Sequence, residues 1–214
     1  MRRALWAAVA FLTMIMIAVG TLRIMRLWST RAGLDEGFAG HPWLTLLHIL
    51  PGLVFVVLGP LQFMASLRRR RPALHRWTGR VVLSAALVIG ITALIMSPQM
   101  AIGGTLEIAA TMVFAVLFLF SLGRGFAAIR ARRIAEHRRW MIRGYAIGLG
   151  VGTVRPIMGV FFATSRLTHL TPHDFFGIAF LLGWLLSLGV AEWWIRVTQR
   201  KVDHYVQPSA SARV

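Results

Sequence analysis

The sequence predicts an all-α fold: a polytopic integral membrane bundle of about six transmembrane helices. Three observations predict it. Hydrophobic residues make up 57% of the chain, charged residues 14%, and mean hydropathy is +0.68. A soluble domain of this size needs far more polar surface. The apolar residues gather into blocks of bilayer-spanning length, and the arginines fall in short clusters between the blocks, as topology signals do.

Taken in chain order, the expected spans are Ala4–Leu22, Pro42–Ser66, Trp77–Ser97, Gly103–Ile129, Trp140–Ala163 and Phe175–Val197. The first begins after Arg2-Arg3, as a signal peptide would. Its apolar run is long for one and no small-residue cleavage site follows, so a retained anchor is expected. Several spans exceed about 20 residues, which predicts tilt or extension beyond the bilayer. Ser97-Pro98-Gln99 marks a break after the third span. Pro156 is a candidate kink in the fifth. Thr171-Pro172-His173-Asp174 reads as the start of the last helix, with Thr171 as cap and Pro172 in the first turn. Residues 1–200 form one transmembrane domain, and 201–214 a short tail, disordered around Gln207-Pro208-Ser209.

Arg2-Arg3, the run Arg68 to Arg76, the run Arg130 to Arg139, and Arg196, Arg200 and Lys201 all fall on one face of a six-span bundle. That face is expected to be cytoplasmic, with both termini there, in a bacterial inner membrane. The opposite connections carry Arg23, Arg26, Arg31 and Arg166 beside Asp35, Glu36 and Asp174. Arg23 and Arg26, at a helix end, are expected to snorkel to the headgroups. The net charge of +17 therefore points to bilayer topology and anionic lipid at the basic face. No aromatic-basic groove or recognition helix suggests nucleic acid. The absence of cysteine excludes disulfides, thiolate metal sites and covalently attached haem.

Two basic loops match. Arg70-Arg71, three residues, then His75-Arg76 recurs as Arg132-Arg133, three residues, then His137-Arg138. Spans two and three therefore resemble one hairpin, and spans four and five its copy. Such a repeat places His75 and His137 at one depth, where facing imidazoles suit bis-histidine ligation of a b-type haem. Gly79 lies one turn beyond His75, and Gly52 one turn beyond His48; a glycine there leaves room for a flat macrocycle. Met141 stands at the corresponding place after His137. Haem would require Cα atoms on the order of 12 Å apart across a flat slot.

The run His48-Ile49-Leu50-Pro51-Gly52, then Leu58-Gly59-Pro60-Leu61-Gln62-Phe63, Arg70-Arg71-Pro72 and Leu74-His75-Arg76-Trp77-Thr78-Gly79-Arg80 resembles domain-of-unknown-function family 2306. So does His137-Arg138-Arg139-Trp140-Met141-Ile142-Arg143-Gly144-Tyr145-Ala146. The resemblance implies a bacterial membrane protein without an established activity. A fainter resemblance is to the di-haem b-type cytochromes that carry electrons from ascorbate across membranes. It implies a haem between His75 and His137, a second on His48, and a membrane redox partner. The partner histidine for His48 is missing, since Ala110 stands at the equivalent place in the fourth span.

Ionisable groups inside spans usually mark function or tight pairing. Glu107, Arg155 and His48 share a depth near the end opposite the basic loops, and Glu107 and Arg155 are expected to pair. Glu192, near the basic end, has Arg80, Arg124 and Arg143 as candidate partners, with Gln62 and Tyr145 joining the buried polar set. His41, His169 and His173 are loop histidines first and metal ligands second, and the tryptophans read as interface anchors. Three functions stay open: a haem electron-transfer protein, a small-solute or proton transporter or sensor, and a non-catalytic assembly protein. No nucleophile–base pair, phosphate loop or zinc-protease motif supports hydrolysis.

Overall fold

The computed structural model describes residues 2–27 and 36–206. The described residues form eight helices: α1 (Arg2–Arg26), α2 (Glu36–Gly40), α3 (Pro42–Gln62), α4 (Ala65–Arg70), α5 (Pro72–Met100), α6 (Gly104–Arg130), α7 (Ile134–Thr168) and α8 (Pro172–Val206). Six of these, all but α2 and α4, are long and apolar enough to cross a membrane. This is an all-helical membrane bundle. Residues 207–214 of the expected tail, and Arg31 and Asp35, lie outside the described residues; α8 itself continues to Val206.

Most of the helices run past the spans read from the sequence, and three of the differences have a plain physical reason. The second span ends at Gln62, not Ser66. Pro60 removes one backbone donor in the last turn, and the chain tightens through Phe63 N–H to Pro60 O and Met64 N–H to Leu61 O before turning extended at Met64. The third helix runs through Pro98 to Met100, and the break comes at Ala101. A proline in the last turn costs a single hydrogen bond, so Ser97-Pro98-Gln99 does not end the helix. The fifth span begins at Ile134, one turn before His137, and continues through Pro156. At 35 residues α7 is about 52 Å long, well beyond a hydrocarbon core of about 30 Å.

The expected start of the last helix forms as a capping arrangement. The Asp174 carboxylate accepts from Thr171 N–H at 2.9 Å and from its hydroxyl at 2.6 Å.

α3 packs on α5 and α6 on α7, as the hairpin reading requires, while α5–α6, α6–α8 and α7–α8 contacts close the bundle. The two basic loops are not copies. The first carries α4, whereas the second is a tight turn with Arg132 in the left-handed region at φ 59°. Their registers still agree locally: Arg71 and Arg133 are the N-caps, and His75 N–H and His137 N–H bond to their respective carbonyls.

The core is aromatic. Phe55, Phe114, Phe118, Ile147 and Trp184 form its centre, with the Phe114 and Trp184 rings stacked at 5.0 Å. The buried Trp184 N–H donates to Ile147 O at 3.1 Å, tying α8 to α7.

Candidate functional site

A cavity of about 230 Å³ runs from this aromatic centre toward the end of the bundle opposite the basic loops. Phe55, Phe114, Phe118 and Trp184 wall its deep part. Its far part is lined by Arg23 of α1, His48 of α3, Glu107 of α6 and Arg155 of α7. Four helices therefore deliver ionisable groups to one space that is otherwise apolar.

Each group is held differently. Glu107 is 8% exposed and lies in the first turn of α6. Its Oε2 accepts the backbone N–H groups of Ile102 (2.9 Å) and Gly103 (2.6 Å), so the carboxylate caps its own helix. Arg155 is close enough to act on that carboxylate electrostatically, and its Nη1 also approaches Met158 Sδ at 3.9 Å. Arg23 sits over the Phe38 ring, with its guanidinium carbon 3.8 Å from the centroid. It is half-buried and faces the cavity rather than snorkelling outward.

His48 points its Nδ1 at Thr92 Oγ1 on α5, 2.8 Å away. The threonine hydroxyl donates its proton to Val88 O at 2.7 Å, so the imidazole Nδ1–H is the donor in the first bond. In that arrangement the Nε2 lone pair stays on a ring that lines the cavity. Beside it, a Cβ built on Gly52 meets nothing within 4 Å, so Gly52 opens onto the same space.

The remaining polar residues divide between two other places. Gln62 does not join Glu192. Its amide donates to Thr78 Oγ1 at 2.8 Å, and its Oε1 covers Gly79, 3.1 Å from where a Cβ would stand. Tyr145 packs its ring on Gly59 and against Phe55 and Phe63. Glu192 takes Arg143 from among its candidate partners, at 2.5 and 3.0 Å in a two-pronged pair between α8 and α7. The physical reason is position: Gln62 ends α3 beside α5, whereas Glu192 lies on the α7–α8 seam.

His75 and His137 are both half-buried at the basic end and near enough to interact electrostatically. His137 Nδ1–H donates to Gly125 O at 2.8 Å. Gln62 fills the space beside Gly79, and the Met141 methyl sits on Gly125. Among the described residues no three His, Asp or Glu side chains gather as a metal site, the outer histidines included.

A sequence model of the family described as "Predicted membrane protein (DUF2306)" matches residues 45–195, more than half of the chain. The chain belongs to that family. The family 2306 match covers almost all of α3 to α8, and with them His48, Glu107 and Arg155. Arg23, on α1, lies before it. No curated protein and no solved structure gives a match.

Sequence reasoning missed Arg23, Thr92 and the deep aromatic wall. An arginine at a helix end carries no mark of facing inward. A threonine in an apolar run ordinarily bonds only its own backbone, as Thr92 also does.

Proposed function

We propose that this chain binds a small, mostly apolar molecule with one polar head inside the bundle, as the binding step of a membrane carrier or sensor. The observation that carries the reading is the convergence of Arg23, His48, Glu107 and Arg155 at one end of an otherwise apolar cavity. Ligand sites have this composition: apolar walls and a few polar groups that orient the ligand. Ionisable side chains at membrane depth mark such places. A cavity of roughly 150 Å³ holds a benzene ring, so 230 Å³ suits a single-ring or short-chain molecule. With the basic loops on the cytoplasmic side, the polar end of the cavity faces the external side.

Gly52 supplies the test. Gly52→Leu adds a side chain to open space and removes a helix-interior glycine, so folding should be unharmed. Hexanol, octanoate and hydroquinone serve as probes, read by the shift each causes in the unfolding temperature of detergent-purified protein. At least one should raise it by a few degrees in the wild type, and Gly52→Leu should weaken that binding about tenfold or more. Undiminished shifts in the variant, or none in the wild type, would refute the reading.

A b-type haem between His75 and His137 has two observations in its favour, the first being that the buried His75 Nδ1 meets no hydrogen-bond partner among the described residues. The second is the His137 Nδ1–H bond to a backbone carbonyl, which leaves Nε2 available, as in ligating histidines. The packing opposes it. Gln62 occupies the place a macrocycle would need beside Gly79, and Met141 stands where a second glycine would leave room, its methyl against Gly125. These residues as packed do not fit the group. The purified protein should show no Soret band, oxidised or reduced. A band abolished by both His75→Ala and His137→Ala would reinstate the haem.

A further inference from the structure

At the basic end, α6, α7 and α8 border a second, open pocket of about 390 Å³, lined mostly by polar side chains. Four arginines face it, Arg124, Arg139, Arg143 and Arg196, against the two carboxylates Glu136 and Glu192. The carboxylates are already engaged. Glu192 holds Arg143 through both oxygens. Glu136 holds Arg124 at 3.2 Å and Arg133 at 3.1 Å.

Arg139 and Arg196 are left over. Arg139 donates only to the neutral Gln199 Oε1, at 3.2 Å. Arg196 makes no ion pair or hydrogen bond among the described residues. Two cations from neighbouring helices thus share a pocket with no carboxylate to answer them, which is what an anion requires.

The wall of the pocket tells which anion. Trp140 lines it, with Arg143 at 4.8 Å and Arg124 at 5.6 Å from its ring. On its membrane side Trp140 meets Phe120 edge-on at 5.5 Å. Phe120 lies one turn deeper than Arg124 and is 52% exposed, and Leu117 and Val113 continue the exposed apolar stripe into the bilayer region. The charged pocket therefore opens onto a surface made for acyl chains, with a tryptophan at the boundary.

We propose that this pocket holds the phosphate headgroup of an anionic phospholipid, gripped by Arg139 and Arg196, with its chains along Phe120. The site is separate from the cavity at the other end, and does not depend on what that cavity binds.

The experiment uses delipidated, detergent-purified full chain, with binding of phosphatidylglycerol, phosphatidylcholine and inorganic phosphate followed by unfolding temperature. Phosphatidylglycerol should stabilise the protein and phosphatidylcholine should not. Arg139→Gln with Arg196→Gln should weaken phosphatidylglycerol binding about thirtyfold, roughly fivefold for each arginine. Arg68→Gln with Arg69→Gln, at the other hairpin of the same basic face, should change it less than about threefold. Equal losses in both double variants would reduce the effect to general surface charge and overturn the site. Millimolar phosphate reproducing the whole shift would make the occupant a soluble anion and overturn the lipid. Native mass spectrometry of the wild type in an equimolar lipid mixture needs no variant: one retained phosphatidylglycerol supports the proposal, and equal retention of both lipids overturns it.

Discussion

Gly183→Ala and Gly177→Ala should each cost about 1–3 kcal/mol of stability, and together about 2–6 kcal/mol, a large share of the roughly 5–15 kcal/mol that holds a domain folded. Both glycines lie on α8, but they face different neighbours. A Cβ on Gly183 would stand 2.6 Å from Val154 Cγ2 and 3.0 Å from Val154 N, on α7. A Cβ on Gly177 would stand 2.8 Å from Leu106 Cβ and 2.9 Å from Glu107 N, on α6. Neither obstacle is a flexible tip. Val154 is fully buried and β-branched, and the other contacts are backbone or Cβ atoms that move only with their helices. Inside a bilayer, close backbone approach is the main source of helix–helix attraction, so separating two helices loses contacts along the whole seam. The two sites are six residues apart, about 9 Å along the helix, so their effects should nearly add. Gly189→Ala on the same helix is the control. A Cβ there meets nothing within 4 Å, and alanine should be neutral or mildly stabilising. Val154→Ala should recover part of the Gly183→Ala loss, because it removes the Cγ2 contact and leaves the backbone one. The check is the unfolding temperature in one detergent. If Gly183→Ala matches the wild type, α7 and α8 do not meet this way.

That seam shows where a single sequence stops being informative. The six spans were legible because apolar length is a property of each segment alone. The depth of His48, Glu107 and Arg155 was legible for the same reason, by counting residues from the loops. Which faces meet is a property of pairs. Gly177 and Gly183 look like any glycines of a membrane helix until Glu107 and Val154 are known to lie opposite. Thr92 was invisible as a partner of His48, 44 residues away. Gln62 was misplaced by sharing a depth with Glu192 while belonging to the α3–α5 hairpin, away from the α7–α8 seam. The matched basic loops did carry real register, since Arg71 and Arg133 both cap helices that present a histidine one turn in. They could not reveal that Gln62 fills the space beside Gly79, or that the Met141 methyl packs on Gly125.

Removing either member of the Arg143–Glu192 pair should cost about 2 kcal/mol, whereas removing both together should cost less than either alone. The side chains are 25% and 32% exposed, so the pair is neither buried outright nor freely hydrated. A fully buried pair broken on one side loses about 3–5 kcal/mol, and an exposed one about 0–1 kcal/mol; partial exposure sets the expectation between them. Glu192→Leu leaves the Arg143 guanidinium with the Trp140 ring, 4.8 Å away, as a weaker partner. Arg143→Leu leaves Glu192 without its two charge-assisted donors, in a pocket where Arg124 is already held by Glu136 and where Arg139 and Arg196 make no bond to it. The double leucine variant removes both desolvated charges at once, so the single penalties should largely cancel. A double-mutant cycle on unfolding temperature gives the coupling directly, and it should be favourable by more than about 2 kcal/mol. Additive losses would mean that the two side chains touch without depending on one another. The charge-reversed pair, Arg143→Glu with Glu192→Arg, should recover only part of the coupling. Reversal moves the guanidinium to α8 and away from the Trp140 face it now meets, and places a carboxylate against that ring instead.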